Sequence, residues 1–351
     1  MVGLEEELKN RAIEALPRMR GIRSPETREV FERISYVFSH DLKVVNYPRR
    51  PYVAFNPGAL LMGNELWVFP RLVFDYYGYT SSIGFFKLDV ENLLSGGLEK
   101  PIETRVVLWP KKLWELKGCE DARPWIEGER LLLLYTGFGF MPGELPGERG
   151  LKLMWVQGLA RLDMDFKVLS RGFFKIVDEG RELVARMKDS AFLKVLGDEA
   201  VMLCRPSLGG VEVCWCGTAD MGELVLHAGT MKPVLVHEKW EFKVGWSTNV
   251  VKLSSNEYLV GWHGVLAQDY SYKEGLAILS EEGELLAISN YLLSPHGIVE
   301  EYGDRPLVIF GNGLVKYRDS LIWVGGVSDY GIGFFKTDLE KVLENLKWIK
   351  G

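Results

Sequence analysis

A short pattern recurs five times along the chain and constrains the fold more than any other feature. Each copy begins with a small residue, continues through apolar residues and ends at a polar turn that usually contains Asp. The copies are Gly84–Asp89, Gly158–Asp163, Cys214–Asp220, Gly275–Ser280 and Gly333–Asp338. The first and last copies are nearly identical, since both read Gly-Phe-Phe-Lys-x-Asp-x-Glu.

Several strand-like runs lie between these copies, each bounded by Gly, Pro, Asp or Asn. Examples are Glu65–Phe69, Leu131–Tyr135, Ala200–Cys204, Glu257–Trp262 and Ser320–Val324. A period of about 50 to 60 residues with several short strands per unit is typical of propeller blades. The sequence therefore predicts an all-β fold, a five-bladed β-propeller with helical decorations at both ends.

The chain ends carry the helical patterns. We predict an N-terminal helical extension over 1–40, a single propeller domain over 41–351 and a C-terminal helix over 338–348. Within the extension, Ser24 is suited to an N-cap and Pro25 to the first helical position, which predicts that a second helix begins here. Asp178 to Met187 is a further short helix candidate. The N-terminal helices are predicted either to mediate a homo-oligomer or to cap the outside of the ring.

The bulk composition excludes several classes of function. The chain has 351 residues, 47% hydrophobic and 26% charged, which is typical of a soluble globular protein. Its net charge of −6 and the lack of Lys/Arg runs argue against nucleic acid as a partner. No apolar segment is long enough for a membrane span. Met1 to Arg23 is too charged for a secretory signal, so we expect a cytoplasmic protein.

Two residue counts add weaker expectations. Four cysteines are too few for a disulfide framework, and Cys214 and Cys216 lack further ligands at metal-site spacing, so we predict no metal and no cofactor. Only two glutamines accompany abundant Glu, Lys and Arg, which indicates a thermophile tendency.

The segment Glu120-Asp121-Ala122-Arg123 places two carboxylates and a guanidinium side by side. Gly118 before it and Pro124 after it favour a loop or a strand edge. Glycosyl transfer needs one protonated acid, a charge that holds a polar ring and a cation that orders both. Taken alone, the motif is more typical of a surface turn, so its role depends on what the fold brings next to it.

Polar residues recur near the start of each predicted blade, where a propeller would gather them around a central funnel. They are Asn56, Arg71, Glu120, Asp121, Arg123, Lys188, Asp189, Arg205, His263, Glu300, Asp329 and Tyr330. Each also has a structural interpretation. The arginines could join blades, Lys188 and Asp189 could form a solvated turn, and His263 could be a core histidine.

In order and spacing this set resembles glycoside hydrolase family 130, the β-mannoside phosphorylases and related mannosidases. The resemblance extends over about Val53 to Leu343 and implies a five-bladed propeller that inverts the anomeric centre. It implies Asp121 as the general acid, with Glu120 as the alternative. It implies phosphate contacts from Lys188, Arg205 and Arg149, and inorganic phosphate as co-substrate. The implied substrate contacts are Asn56, Arg71, Arg123, Asp189, His263, Glu300, Asp329 and Tyr330.

The chain departs from the family pattern at Ala122, where proline is usual, and at Cys204, where histidine is common. The loop at Gly245–Thr248 is also reduced. These departures leave the acceptor sugar and the phosphate site open. Phosphorolysis of β-mannosides to mannose 1-phosphate is favoured by the cations at Lys188 and Arg205. Hydrolysis with Glu300 or Asp329 as base, a non-catalytic carbohydrate-binding propeller and a scaffold for protein partners are the alternatives.

Overall fold

The computed structural model describes residues 3–142 and 150–349, and this part of the chain consists mostly of β-strands. The predicted all-β class is confirmed. Its first ten strands are β1 (Glu32–Val37), β2 (Leu42–Val44), β3 (Val53–Met62), β4 (Glu65–Val73), β5 (Ser81–Asp89), β6 (Ile102–Leu108), β7 (Gly118–Glu127), β8 (Arg130–Pro142), β9 (Leu151–Asp163) and β10 (Val168–Phe173).

The remaining strands follow in the second half of the chain. They are β11 (Lys175–Asp178), β12 (Arg181–Leu183), β13 (Arg186–Leu196), β14 (Glu199–Leu208), β15 (Val211–Glu212), β16 (Cys214–Asp220), β17 (Val225–His227), β18 (Lys232–Leu235), β19 (Glu241–Lys252), β20 (Tyr258–Leu266), β21 (Tyr272–Leu279), β22 (Leu285–Ser289), β23 (Ile309–Tyr317), β24 (Ser320–Val327), β25 (Gly331–Asp338) and β26 (Leu346–Trp348). The helices are α1 (Leu4–Met19), α2 (Val90–Leu94), α3 (Ile298–Glu301) and α4 (Leu339–Leu343). Among the described residues, no helix has the length and hydropathy that a membrane span requires.

Five antiparallel groups succeed one another along the chain. They are β3–β4–β5–β6, β7–β8–β9–β10, β13–β14–β16 with β17 and β18, β19–β20–β21–β22, and β23–β24–β25. The five copies of the repeat lie on the third strand of each group, and the strand-like runs lie on the second. The sequence period therefore marks equivalent strands of five equivalent units.

Strands from the chain ends complete several of these groups. β1 pairs with β25 in the fifth group, β2 pairs with β6 in the first, and β26 pairs with β22 in the fourth. The N-terminal extension is thus helical only over Leu4–Met19. The C-terminal helix is shorter than the predicted 338–348, because it covers Leu339–Leu343 and β26 follows it.

Two predicted helices are wrong. The segment after Ser24 is extended, since the amides of Arg28 and Val30 donate to the carbonyls of Tyr291 and Leu292 over 2.9 and 3.1 Å. This pairing with a distant segment overrides the local capping signal. The candidate at Asp178 to Met187 lies instead in the β11–β12 hairpin and the start of β13.

A hydrophobic cluster fills the space between each pair of successive groups. Each cluster contains side chains from both groups that it joins. Examples are Phe69 with Leu133 between groups one and two, Leu134 with Trp215 between two and three, Leu203 with Val260 between three and four, Leu276 with Trp323 between four and five, and Val324 with Phe86 between five and one. The last of these clusters joins the end of the chain to its beginning. Each group therefore buries its two faces by packing against its two neighbouring groups.

An ion pair buried beneath the N-terminal segment gives a stability prediction. Arg23 Nη2 donates to Glu241 Oε2 over 2.8 Å, and both side chains are inaccessible to solvent. We expect Arg23→Met to lower the free energy of unfolding by about 3–5 kcal/mol, because the buried charge of Glu241 would lose its counter-charge and keep only the hydrogen bonds from the Tyr291 hydroxyl and the Glu238 amide. Urea unfolding measures this. As a control, Lys87→Met breaks the exposed ion pair with Glu65 and should lower the free energy of unfolding by less than about 1 kcal/mol. Equal losses of unfolding free energy in the two variants would contradict the prediction.

Candidate active site

Three polar residues occupy equivalent bulges on the first strands of the first three groups. Asn56, Asp121 and Asp189 have φ values of 45°, 52° and 54°, and the strand register shifts at each of them. Residues other than glycine rarely adopt this conformation, and strain of this kind is concentrated at functional sites. A bulge also re-aims its side chain away from the ladder. The backbone thus directs three polar side chains out of their sheets.

Four of the predicted residues meet at the first two bulges. Asn56 Nδ2 donates to Asp121 Oδ1 over 3.1 Å, and Arg71 Nη1 lies 3.7 Å from the same oxygen. Arg71 Nη2 donates to Glu120 Oε1 over 2.8 Å. Arg71 Nε donates to the Ser81 hydroxyl over 2.7 Å. One guanidinium therefore holds two neighbouring carboxylates, which we call the acidic pair, in fixed positions.

The surroundings favour protonated carboxyl groups beside this guanidinium. Burial raises the pKa of Glu120, and the negative charge of Asp121 adds to the effect, although Arg71 opposes it. Burial likewise raises the pKa of Asp329, with Arg71 and Arg305 opposing and Asp121 reinforcing the shift. A group that must donate a proton near neutral pH needs this kind of environment.

The third bulge residue, Asp189, forms a buried ion pair with Arg205. Arg205 Nε donates to Asp189 Oδ2 over 2.8 Å, and its guanidinium also contacts Glu212. Burial opposes ionisation of Asp189, but the charges of Arg205 and Lys188 outweigh it and hold the pKa below its usual range. Arg205 is only 2% exposed and has two carboxylate partners. Arg205 and Asp189 are therefore paired with each other, and their roles as phosphate and substrate contacts stay predictions.

Arg123 is committed to the backbone. Its Nε donates to the carbonyl of Ser247 over 2.6 Å and its Nη1 to the carbonyl of Asp121 over 2.9 Å. The side chain is 3% exposed. It therefore connects β7 to β19 and supports the Asp121 bulge, and its role as a substrate contact stays a prediction.

His263 is a core histidine, the structural interpretation of its motif. The Nδ1 atom of His263 lies 3.0 Å from the Ser247 hydroxyl, and this hydroxyl donates to Glu274 Oε2 over 2.6 Å. The Nε2 atom of His263 lies 4.0 Å from Asp189 Oδ2. Burial lowers the pKa of His263 well below its usual value and raises that of Glu274 well above it. At 1% exposure, the ring packs beside Asp189, and its role as a substrate contact stays a prediction.

Glu300 serves the fold. Its carboxylate accepts from Arg33 Nη2 over 2.9 Å, from the Tyr36 hydroxyl over 2.8 Å and from the His296 amide over 2.7 Å, and it is fully buried. These contacts anchor β1, and the role of Glu300 as a substrate contact or a base stays a prediction. Two other predicted substrate contacts are Asp329, which is half-buried with a φ of 49°, and Tyr330, whose side chain is 44% exposed. The predicted phosphate contact Arg149 lies outside the described residues.

Three cations surround Tyr272, and we call Lys188, Lys243 and Arg305 the cation cluster. Lys243 Nζ and Arg305 Cζ lie 5.2 and 4.4 Å from the centroid of the Tyr272 ring, and the charge of Lys188 also acts on the Tyr272 hydroxyl. None of the three makes an ion pair with a carboxylate in the described ranges 3–142 and 150–349. Burial, then the neighbouring charge of Arg205, lowers the pKa of Lys243 to about 8. Asp189, Glu212 and Asp329 lie near these cations without forming an ion pair with them, so the cluster has room for an anion as a direct partner.

Sequence reasoning missed several members of this site. They are Lys243, Ser247, Tyr272, Glu274, Arg305 and Asn312. The sequence offered a sign for Asn312, because this residue lies between two glycines, Gly311 and Gly313. In the structure it lies at the bulge of β23, where its Nδ2 donates to the Asn56 carbonyl over 2.8 Å. No group of three His, Cys, Asp or Glu among the described residues could hold a metal ion.

One family model matches most of the chain. The model of glycoside hydrolase family 130, described as beta-1,4-mannooligosaccharide phosphorylase, matches residues 22–348. A β-1,2-mannobiose phosphorylase from Listeria innocua superposes with a TM-score of 0.62 at 18% identity, over 88% of this chain and 96% of that one. A glycosyl hydrolase from Bacteroides ovatus gives 0.61 at 14%, over 94% and 99%. A family 130 structure described with glycoside hydrolases that target β-1,2 mannosidic linkages in Candida mannan gives 0.63 at 14%, over 92% and 97%. A search of curated protein sequences returned no match.

Proposed function

Because this chain belongs to glycoside hydrolase family 130, whose members are phosphorylases or glycosidases acting on β-mannosidic linkages, we propose that it is an inverting β-mannoside phosphorylase. In this reaction a phosphate oxygen bonds to C1 of the mannosyl group from the face opposite the leaving oxygen. The C1–O bond breaks, the leaving oxygen takes a proton, and mannose 1-phosphate is released with the acceptor sugar.

The cation cluster carries this proposal. Phosphate is already a charged nucleophile, so it requires positive charge to bind and no general base to activate it. Lys188, Lys243 and Arg305 supply that charge from three segments of the chain, and the carboxylates near them, Asp189 and Glu212, are paired with Arg205. Charge-assisted hydrogen bonds from lysine and arginine are the strongest contacts a protein can offer to phosphate.

In the mechanism, Asp121 is the general acid. Asn56 and Arg71 fix its carboxyl group at the strained bulge, so its position is set before the substrate arrives. Arg71 is itself held by Glu120 and by the Ser81 hydroxyl. Glu120, whose pKa is raised by burial, is the alternative acid.

Hydrolysis is the competing reaction, and the site supports it less well. An inverting hydrolase needs a carboxylate base about 6.5–9.5 Å from the acid. The two bases considered from the sequence are poorly suited: Glu300 is enclosed by Arg33 and Tyr36, and the pKa of Asp329 is raised by burial, which disfavours the ionised form. A purely carbohydrate-binding protein would not need a strained carboxylate beside a free cation cluster.

The direct test is phosphate dependence. The protein is incubated with β-1,4-mannobiose or with β-1,2-mannobiose, with and without inorganic phosphate, and the products are separated by anion-exchange chromatography. We expect mannose 1-phosphate only when phosphate is present. Release of free mannose at the same rate without phosphate would show a hydrolase, and binding without any turnover would show a carbohydrate-binding protein.

The fold can be stated more finely as a proposal. The five groups are proposed to be blades of one closed five-bladed propeller formed by 41–351 together with β1, with α1 and α4 outside it. Support comes from the hydrophobic clusters between all successive groups, including the cluster between the fifth and the first. Cytoplasmic location, homo-oligomer formation and the thermophile tendency stay predictions.

The affinity for phosphate is expected to fall as the pH rises through about 8, because Lys243, whose pKa is about 8, then loses its charge. The KM for phosphate, measured at several pH values on both sides of this midpoint, should rise on the alkaline side. Lys243→Arg is the control, since a guanidinium stays protonated throughout. An unchanged alkaline rise in this variant would exclude Lys243 as its source.

A further inference from the structure

Two aromatic rings cover the guanidinium of Arg71, the group that holds the acidic pair. Its Cζ atom lies 4.9 Å from the centroid of the Phe55 ring and 5.8 Å from that of the Tyr79 ring. We call these two rings the aromatic collar. The electrons of an aromatic face attract a guanidinium, and this attraction strengthens where water is excluded. The Arg71 side chain is only 12% exposed, so both contacts are of the stronger kind.

The collar and the hydrogen bonds of Arg71 use different parts of the guanidinium. The nitrogen atoms Nε and Nη2 donate to the Ser81 hydroxyl and to Glu120 Oε1 over 2.7 and 2.8 Å, and Nη1 lies 3.7 Å from Asp121 Oδ1. Hydrogen bonds of a guanidinium lie in its plane, whereas aromatic rings contact its faces. The carboxylates therefore orient the edge of the group, and the collar limits its movement out of that plane and shields it from water.

The two rings of the collar are held in different ways. Phe55 lies on β3, opposite Arg71 in the strand register, and it is buried, so the core fixes it. Tyr79 lies in the connection between β4 and β5, is half-buried and has a φ of 48°. Its amide donates to the Asp75 carbonyl over 2.9 Å, and its ring packs against the same small cluster as Phe55. Strain of this kind is concentrated at functional sites. Tyr79 is therefore the half of the collar that can be replaced without opening the core.

We propose that Tyr79 is a positioning residue, whose ring holds the Arg71 guanidinium against the acidic pair and so keeps the general acid in place. This inference rests on the proposed function, because it takes the acidic pair as the source of the proton. Within the described ranges 3–142 and 150–349, the Tyr79 hydroxyl has no hydrogen-bond partner, so the ring carries the role. The carboxyl groups whose charges act on Arg71 are those of Glu120, Asp121 and Asp329, and the Tyr79 hydroxyl also faces it.

The test replaces the ring and the hydroxyl of Tyr79 separately. The kcat for phosphorolysis of β-1,4-mannobiose is measured at saturating phosphate with the unchanged protein, Tyr79→Leu, Tyr79→Phe and Tyr77→Leu. Tyr77 is the matched control, because it lies in the same connection and its side chain is fully exposed. We expect Tyr79→Leu to lower kcat about tenfold, the size of effect of a desolvated cation–π contact, and the other two variants to stay within about twofold.

The pH profile separates positioning from a purely structural role. Burial raises the pKa of Glu120 and of Asp329, and the positive charge of Arg71 opposes that rise. A guanidinium that moves away opposes it less, so in Tyr79→Leu these carboxyl groups should keep their protons to higher pH. The alkaline limb of kcat should then move to higher pH in Tyr79→Leu alone. A loss of stability, measured as the melting temperature, would not move this limb.

An alkaline limb that stays in place in Tyr79→Leu would overturn the inference, and so would an equal loss of kcat in Tyr79→Phe, which would assign the role to the hydroxyl. Failure of the proposed function is a separate result, since it appears as turnover that does not depend on phosphate, on which the same variants are compared. If no mannoside is turned over, the nuclear magnetic resonance signal of the Arg71 Nε–H group decides the question. We expect exchange with water to remove this signal in Tyr79→Leu and not in Tyr79→Phe, and equal signals in both would overturn the inference.

Discussion

Asp121→Asn is expected to lower kcat for phosphorolysis of β-1,4-mannobiose by about a thousandfold, the size of effect that a general acid contributes. The amide has almost the same shape as the carboxyl group and can keep its bond to Asn56, but it has no acidic proton to give to the leaving oxygen. Arg71 keeps its contact with Glu120 at 2.8 Å, so the surroundings should persist. Release of mannose 1-phosphate measures the loss, and an unchanged melting temperature shows that the fold is intact.

The leaving group provides the control for this prediction. An aryl β-mannoside such as 4-nitrophenyl β-mannoside releases a stable phenolate and needs little protonation, so Asp121→Asn should affect it far less than mannobiose. Glu120→Gln removes the charge of the closest carboxylate partner of Arg71 and should act mainly through KM. If Glu120→Gln instead shows the thousandfold loss and the leaving-group dependence, Glu120 is the acid and Asp121 its positioning neighbour.

The sequence predicted the strand plan and the acidic pair because both depend on short-range patterns. Period-two alternation with turn residues located the second and third strands of all five groups. Asn56, Glu120 and Asp121 could be found because they lie near the starts of first strands, and Arg71 because it lies one hairpin after Asn56. Equivalent positions in repeated units converge when the units pack side by side.

Several polar residues have partners that the sequence does not show, because these partners are distant along the chain. Glu300 is occupied by Arg33, 267 residues away, and Arg123 by carbonyl groups of β19. Ser24 and Pro25 have a helical capping signal, but the segment pairs with residues beside Tyr291. None of these partners is visible in a local motif.

Two members of the cation cluster, Lys243 and Arg305, were missed for a related reason, whereas Lys188 was predicted as a phosphate contact. Lys243 and Arg305 lie in unremarkable local sequence, one at the start of β19 and the other in the connection to β23. Only the fold shows that both lie over the ring of Tyr272. The sequence analysis favoured Arg205 instead, because a sequence does not show whether an arginine is paired with carboxylates in the fold.

The double variant Lys243→Met, Arg305→Met is expected to lower kcat/KM for phosphate by about a thousandfold. Each charge-assisted hydrogen bond contributes about 1.5–3 kcal/mol, which is roughly tenfold to hundredfold in affinity. The KM for mannobiose should change little, because neither cation contacts the acidic pair. Lys252→Met is the matched control, since Lys252 lies on the same strand with its Nζ 5.7 Å from the centroid of the Tyr258 ring.

Thermal unfolding separates a phosphate site from a structural role for these cations. Like charges without counter-ions repel one another, so without phosphate the double variant should be at least as stable as the unchanged protein. Phosphate at a hundred times its Kd should stabilise the unchanged protein by about 2.7 kcal/mol and the variant hardly at all. A variant that is less stable without phosphate, yet still stabilised by it, would show that Lys243 and Arg305 serve the fold and that phosphate binds elsewhere.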